Sequence, residues 1–67
     1  GNIAVQLNFD IQNFAQLLVT DMIGQTVLEN RAFNKMIELN LKNLPKGVYL
    51  LQVIHGGNVY SGKVVLQ

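Results

Sequence analysis

The alternation of apolar and polar residues is the feature that most constrains how this chain folds. Each odd-numbered position in residues 3–11 holds an apolar side chain. A period of two places successive side chains on opposite faces of an extended strand, whereas a helix repeats its apolar positions about every three to four residues. The same alternation returns in residues 15–19, 37–41 and 49–53, and no helical stripe is found. The pattern therefore predicts an all-β protein whose strands each have one buried face.

Turn signals separate these strand candidates at short intervals. Residues 12–13 break the first alternation, and residues 31–34 read as a polar link. Asp21 and Gly24 bracket a tight turn, because Asp bonds the nearby backbone and Gly takes positive φ. Residues 56–58 form a Gly-Gly-Asn hairpin signal. Short strands with frequent turns indicate an immunoglobulin-like or fibronectin-like antiparallel β-sandwich of six or seven strands.

The alternation also predicts which side chains form the core. Because one face of each strand is buried, the apolar residues of a strand should point inward together. We also expect the rings of Phe14 and Phe33 to be buried, and we leave Tyr60 open. The predicted inward residues are Ile3, Val5, Leu7, Phe9, Leu17, Val19, Ile37, Leu39, Leu51 and Val53.

The segment before the fifth strand candidate contains a tyrosine-corner motif. In immunoglobulin-like sandwiches, a Tyr that follows the crossover between sheets donates its hydroxyl to the backbone a few residues upstream. Tyr49 has that position. Leu44 is expected to fill the core, Pro45 to stiffen the corner and Gly47 to take a backbone conformation that other residues avoid.

Size and composition exclude several classes of protein. A chain of 67 residues makes at most one domain. It contains no cysteine, which excludes disulfides, thiolate metal sites and thiol nucleophiles. Its net charge is +1 without a run of Lys or Arg, so it lacks the basic surface of a nucleic-acid binder. No apolar segment approaches the length of a transmembrane helix.

The residues available for catalysis are few. His55 lies beside the Gly56 turn, where we expect it to be solvated, and Ser61 lies on the other arm of the same hairpin. No strand-turn-helix elbow precedes this Ser, which argues against a nucleophilic triad. The four carboxylates lack the spacing of a metal site or an acid–base pair. We therefore expect no catalytic, metal-binding or cofactor-binding residues, and the chain reads as a binding or structural module.

Three segments, in order along the chain, carry a family resemblance. Residues 17–28 have a strand-Asp-x-x-Gly-strand pattern, residues 44–53 read Leu-Pro-x-Gly-x-Tyr-x-x-x-Val, and residues 62–67 are basic and then aliphatic. Together they resemble the type IX secretion system C-terminal sorting domains of type A, the Por secretion system tail. The resemblance covers residues 15–67 well and residues 3–11 loosely. The Asn-Pro motif that often opens the family is missing.

The resemblance implies an exported, non-catalytic domain without a cofactor. Such domains direct periplasmic cargo through the type IX translocon, and a sortase-like cysteine peptidase usually removes them afterwards. Residues 1–67 would then be one sorting domain, a fragment of a larger secreted protein with its cargo domains upstream. Its location would be the periplasm in transit and then the cell surface or the medium. No nucleic-acid partner and no transmembrane segment are expected.

The end of the chain is the segment in which we expect the sorting contact. An aliphatic outer strand offers unpaired backbone groups to another protein. Two alternatives remain open, a structural immunoglobulin-like or fibronectin-like spacer and a carbohydrate-binding module of a secreted enzyme. The second alternative requires an exposed aromatic face. The candidate sorting residues are Lys63, Val64, Val65, Leu66 and Gln67.

Overall fold

A computed structural model describes residues 2–67 of the chain. Its regular secondary structure consists of β-strands, and residues 2–67 contain no helix. All strand pairs are antiparallel. The strands are β1 (Asn2–Gln6), β2 (Ala15–Thr20), β3 (Thr26–Ala32), β4 (Met36–Asn40), β5 (Gly47–His55) and β6 (Asn58–Leu66).

The strands form two sheets that enclose one core. β1 and β4 make a two-stranded sheet, and the second sheet has four strands in the order β3-β2-β5-β6. The chain passes between the sheets after β1, after β3 and after β4. The predicted all-β, immunoglobulin-like sandwich is confirmed, with six strands.

The core lies between the sheets and is built from alternate residues of each strand. In β2, Ala15, Leu17 and Val19 are buried and the residues between them are half-exposed. All ten side chains predicted to point inward belong to the core or pack against it. The buried residues are Leu7, Ala15, Leu17, Val19, Ala32, Leu39, Leu41, Tyr49 and Val53.

The first strand is shorter than the alternation predicted. Residues 3–11 read as one strand, but β1 ends at Gln6. Leu7 still donates its backbone N–H to the carbonyl of Lys35, at 2.7 Å, and the chain then crosses to the other sheet. Leu7 is buried and Phe9 is half-buried. An extended crossing segment keeps a period of two without a partner strand, so the alternation predicted burial here but not strand pairing.

The prediction that Phe14 and Phe33 are buried is wrong. Phe14 is 39% exposed and Phe33 66% exposed. The predicted polar link over residues 31–34 is also wrong in part, because β3 continues to Ala32 and Ala32 takes the inward position. The rings of Phe14 and Phe33 pack against each other outside the core, with their centres 6.2 Å apart. The guanidinium carbon of Arg31 lies 4.6 Å from the centre of the Phe14 ring.

Candidate functional site

The terminal strand β6 lies at an edge of the four-stranded sheet. Within residues 2–67 it pairs with β5 alone. The pairing runs without a register shift from Asn58, opposite His55, to Leu66, opposite Gly47. An edge strand uses one side of its backbone for the sheet, so alternate N–H and C=O groups of β6 point away from β5. This strand of nine residues contains no proline and leaves a long edge open to another chain.

The five candidate sorting residues divide between the two faces of the sheet. Val64 and Leu66 point inward, are half-buried and pack against the core. Lys63 and Val65 point to the outer face, where Lys63 is exposed and Val65 is 52% exposed. Gln67 follows the strand and is exposed. Lys63, Val65 and Gln67 are therefore accessible to a partner, whereas Val64 and Leu66 help to hold the sandwich together.

The outer face of β5 and β6 is apolar around Lys63. Val65 lies directly opposite Val48, and Lys63 lies opposite Leu50. Val48 and Leu50 are both exposed. Neither β5 nor β6 contains a carboxylate. Exposed aliphatic side chains grouped around one cation are typical of a protein contact surface.

A cleft of about 420 Å³ opens between the edges of the two sheets, beside the end of β6. β1 contributes Ile3 to its lining, and β6 contributes Leu66. The corner between β4 and β5 contributes Leu44 and the two lysines Lys42 and Lys46. No carboxylate side chain lines this cleft. It is a concave surface that is partly apolar and carries positive charge.

A second cleft, of about 390 Å³, lies between β1 and β6 near Tyr60. Phe9 stacks on Tyr60 and on His55, with ring centres 5.0 and 4.9 Å apart. The Nε2 atom of His55 accepts a hydrogen bond from the backbone N–H of Gln12, at 3.1 Å. His55 thus fastens the segment between β1 and β2 to the β5–β6 hairpin. His55 is therefore half-buried and in contact with this segment, where the sequence predicted a solvated surface histidine.

His55 and Ser61 cannot form a catalytic pair. His55 lies two residues after the buried Val53 in β5, so its side chain is on the same inward face of the sheet. Ser61 lies opposite Gln52, on the outward face. A nucleophile and its base must be within hydrogen-bond distance, and side chains on opposite faces of a sheet cannot meet this requirement.

Each carboxylate makes a separate local contact. Asp10 bonds the Nζ of Lys35 at 2.8 Å, and this hydrogen bond, with the lysine's charge, lowers the pKa of Asp10. Glu29 accepts from the side-chain amide of Gln16, and Glu38 from that of Asn2. In residues 2–67, no group of three His, Asp or Glu side chains is arranged to hold a metal ion.

The turn between β2 and β3 is organised by Asp21. Its Oδ1 accepts hydrogen bonds from the backbone N–H groups of Ile23 and Gln25, at 3.1 and 2.9 Å. Its carbonyl accepts from the N–H of Gly24, which has a φ of +90°. A side chain that satisfies two backbone donors, followed by a left-handed Gly, makes a closed turn at this end of the sheet.

The corner between β4 and β5 is closed by the hydroxyl of Tyr49. Tyr49 is buried, and its hydroxyl donates to the backbone carbonyl of Pro45 at 2.5 Å, four residues upstream, as the motif predicts. Leu44 is half-buried against the core, and its N–H bonds the carbonyl of Leu41. Gly47 has a φ of +153°. The fully buried side chain of this corner is Leu41, which the alternation had assigned to the preceding strand.

Comparison with known families gives a match over the whole chain. The family model described as the secretion system C-terminal sorting domain matches residues 1–67, the whole chain. Among curated proteins no match is found. In the part of the chain that the structure describes, no helix has the length and apolar character needed to cross a membrane.

Proposed function

The chain belongs to the family of secretion system C-terminal sorting domains, and we propose that strand β6 is the element by which the secretion machinery reads it. Domains of this family are the C-terminal sorting signals of type IX secretion cargo, and such signals are in general non-catalytic. Membership implies interaction with that machinery and export of the cargo. The residues that make the contact are the part we propose.

The observation that supports this proposal is the free edge of β6, a strand that also exposes Lys63 and Val65 on the outer face of the sheet. A partner strand added to that edge gains hydrogen bonds from the unpaired backbone groups of β6. The side chains of Lys63 and Val65 lie beside such a strand and select among sequences. Lys63 has no carboxylate beside it in β5 or β6, so its charge is available to orient a partner.

We base the proposed route of the cargo on family membership. The cargo domains lie upstream of β1, and the whole protein first reaches the periplasm. The type IX translocon then binds the folded sorting domain and exports the cargo. A sortase-like cysteine peptidase removes the domain afterwards, and the cargo remains at the cell surface or enters the medium.

Export of a reporter tests the role of β6. The domain, with its native upstream boundary, is fused behind a reporter that carries a periplasmic signal, in a bacterium that has the secretion system. The test variant is Lys63→Glu with Val65→Glu. The matched control is Lys35→Glu with Met36→Glu, which changes the lysine just before β4 and an exposed apolar residue at the start of β4, in the other sheet.

We expect the intact fusion and the control to leave the cell, and the β6 variant to stay in the periplasm. Resistance to protease in periplasmic extracts reports whether each domain is folded. A folded β6 variant that is exported as well as the intact fusion would show that the outer side of β6 is not read. If the intact fusion also stays inside, the chain does not act as a sufficient signal and the spacer alternative takes its place.

A further inference from the structure

The charges of this domain are separated along the chain. The four carboxylates all lie before residue 39, whereas residues 39–67 contain Lys42, Lys46 and Lys63 and no acidic side chain. The salt bridge found within residues 2–67 joins Lys35 to Asp10 and involves none of these three lysines. The C-terminal part of the domain therefore carries positive charge that no side-chain carboxylate of the described chain neutralises.

Two of these lysines line the cleft at the end of β6. We call this surface the basic cleft, defined by Ile3, Lys42, Leu44, Lys46 and Leu66. It lies between two free strand edges, since within residues 2–67 β1 pairs with β4 alone and β6 with β5 alone. Its lining thus combines apolar side chains, two unpaired cations and nearby backbone groups that lack a partner strand.

We propose that the basic cleft binds an extended, carboxylate-bearing segment of a protein of the secretion machinery. This inference rests on the proposed function and adds to it a contact whose charged residues, Lys42 and Lys46, lie outside β6. Carboxylates of the segment pair with Lys42 and Lys46, and hydrogen bonds between opposite charges are stronger than those between neutral groups. The backbone of the segment bonds a free strand edge, and its apolar side chains cover Ile3 and Leu66.

A protein segment fits this lining better than a phosphate group of a surface glycolipid. A phosphate accepts hydrogen bonds and so matches the lysines alone. It leaves the carbonyl groups of the strand edge without donors and the apolar lining uncovered. An extended peptide supplies donors, acceptors and side chains together, so it satisfies all three parts of the basic cleft.

Neutralising the two lysines within the complete reporter fusion tests the inference. The test variant is Lys42→Gln with Lys46→Gln. The matched control is Arg31→Gln with Lys35→Gln, which lowers the net charge equally, from +1 to −1, on exposed residues outside the cleft. A third variant, Lys42→Arg with Lys46→Arg, keeps the charge while changing the side chains.

We expect export of the Gln variant to fall by about tenfold, as for the loss of two solvent-exposed ion pairs, while the domain remains folded. The Arg variant should stay within about twofold of the intact fusion because it keeps the charge of the cleft. The matched control should do the same, because its residues lie outside the cleft and exposed ion pairs such as Lys35 with Asp10 contribute little. Protease resistance in the periplasm confirms that the Gln variant is folded.

Three results would overturn the inference, and each leaves a different conclusion. Normal export of the Gln variant would show that the basic cleft binds nothing needed for export, while the role of β6 stands. Equal losses of export in the Gln variant and the matched control would show that export depends on the net charge of the domain and not on the basic cleft. A Gln variant that crosses the outer membrane but is released instead of retained at the surface would indicate a glycolipid ligand. Failure of the intact fusion to leave the cell would instead contradict the proposed function.

Discussion

The two edges of the four-stranded sheet differ in how they are protected. The β3 edge carries Glu29 and Arg31, and its pairing with β2 has a register shift between Val19 and Thr20. The β6 edge carries Lys63 as its one charged residue and pairs with β5 without a shift. Charges and bulges are the means by which soluble proteins prevent edge strands from pairing with other chains.

The β3 edge thus has two features that oppose strand pairing with another chain, whereas the β6 edge has a single charge and no register shift. A long unprotected edge carries a risk of aggregation, and changes of one or two side chains would remove that risk. Its presence in a sorting domain is consistent with an edge that has a partner. The β3 edge has no such role in our proposal, and it has the protection expected of a surface in contact with solvent.

The largest effect on stability should come from the residue at the start of β5, opposite the end of β6. Gly47 has a φ of +153°, so Gly47→Ala should cost about 2 kcal/mol through backbone strain, since the added Cβ comes no closer than 4.0 Å to its neighbours. Gly62→Ala is the matched control within β6, where an added Cβ meets nothing within 4 Å. Urea denaturation of the two variants measures the difference, and equal midpoints would contradict the assignment of strain to Gly47.

The hydroxyl of Tyr49 should have the next largest effect. Tyr49→Phe leaves the carbonyl of Pro45 without its partly buried donor and should cost about 1 to 2 kcal/mol of the free energy of unfolding. Tyr60→Phe is the control, because Tyr60 lies on the same hairpin and is 45% exposed. The corner carries the crossover from β4 to β5, so its loss should weaken the β6 side of the sheet. If both variants denature at the same urea concentration, the hydroxyl does not support the corner.

Exchanging the protection of the two edges should change association more than stability. Ser61→Lys with Val65→Lys adds charge to the β6 edge, and Glu29→Thr with Arg31→Thr removes it from the β3 edge. Exposed substitutions of this kind should change stability by less than about 0.5 kcal/mol. We expect the first pair to suppress self-association of the domain at high concentration and the second pair to increase it. Sedimentation velocity measures both, and the opposite order would show that the β6 edge is not the more open one.

Acidification should have the smallest effect on stability, and it should leave the structure of the β6 edge unchanged. The pKa of Asp10 is lowered by its hydrogen bond to Lys35, so this pair stabilises the fold above the ordinary pKa of 3.8 and stops doing so as the pH falls through the lowered value. Lys35→Gln should return the pKa of Asp10 toward its ordinary value. A titration followed by NMR measures this change. Backbone signals of residues 61–65 in β6 should move little, because this part of the strand contains neither a carboxylate nor a histidine.

The sequence by itself determined the class of fold, the inward residues and the tight turns. These features follow from local patterns, since the period of two and the preferences of Asp, Gly and Pro act over a few residues. The motif around Tyr49 was recognisable for the same reason. The ordered set of motifs also indicated the family, which the match over residues 1–67 confirms.

The tertiary structure alone decided which strands are edges and what lies beside them. Pairing joins residues far apart in sequence, such as Gly47 and Leu66. A local period therefore does not reveal that β3 and β6 are the two edge strands of the four-stranded sheet. The exposure of Phe33 and the role of His55 depend on such distant contacts as well. The basic cleft exists because β1 and β6 belong to different sheets whose edges face each other. Long-range packing therefore determined which strand edges and clefts the domain exposes, and local pattern determined what kind of domain it is.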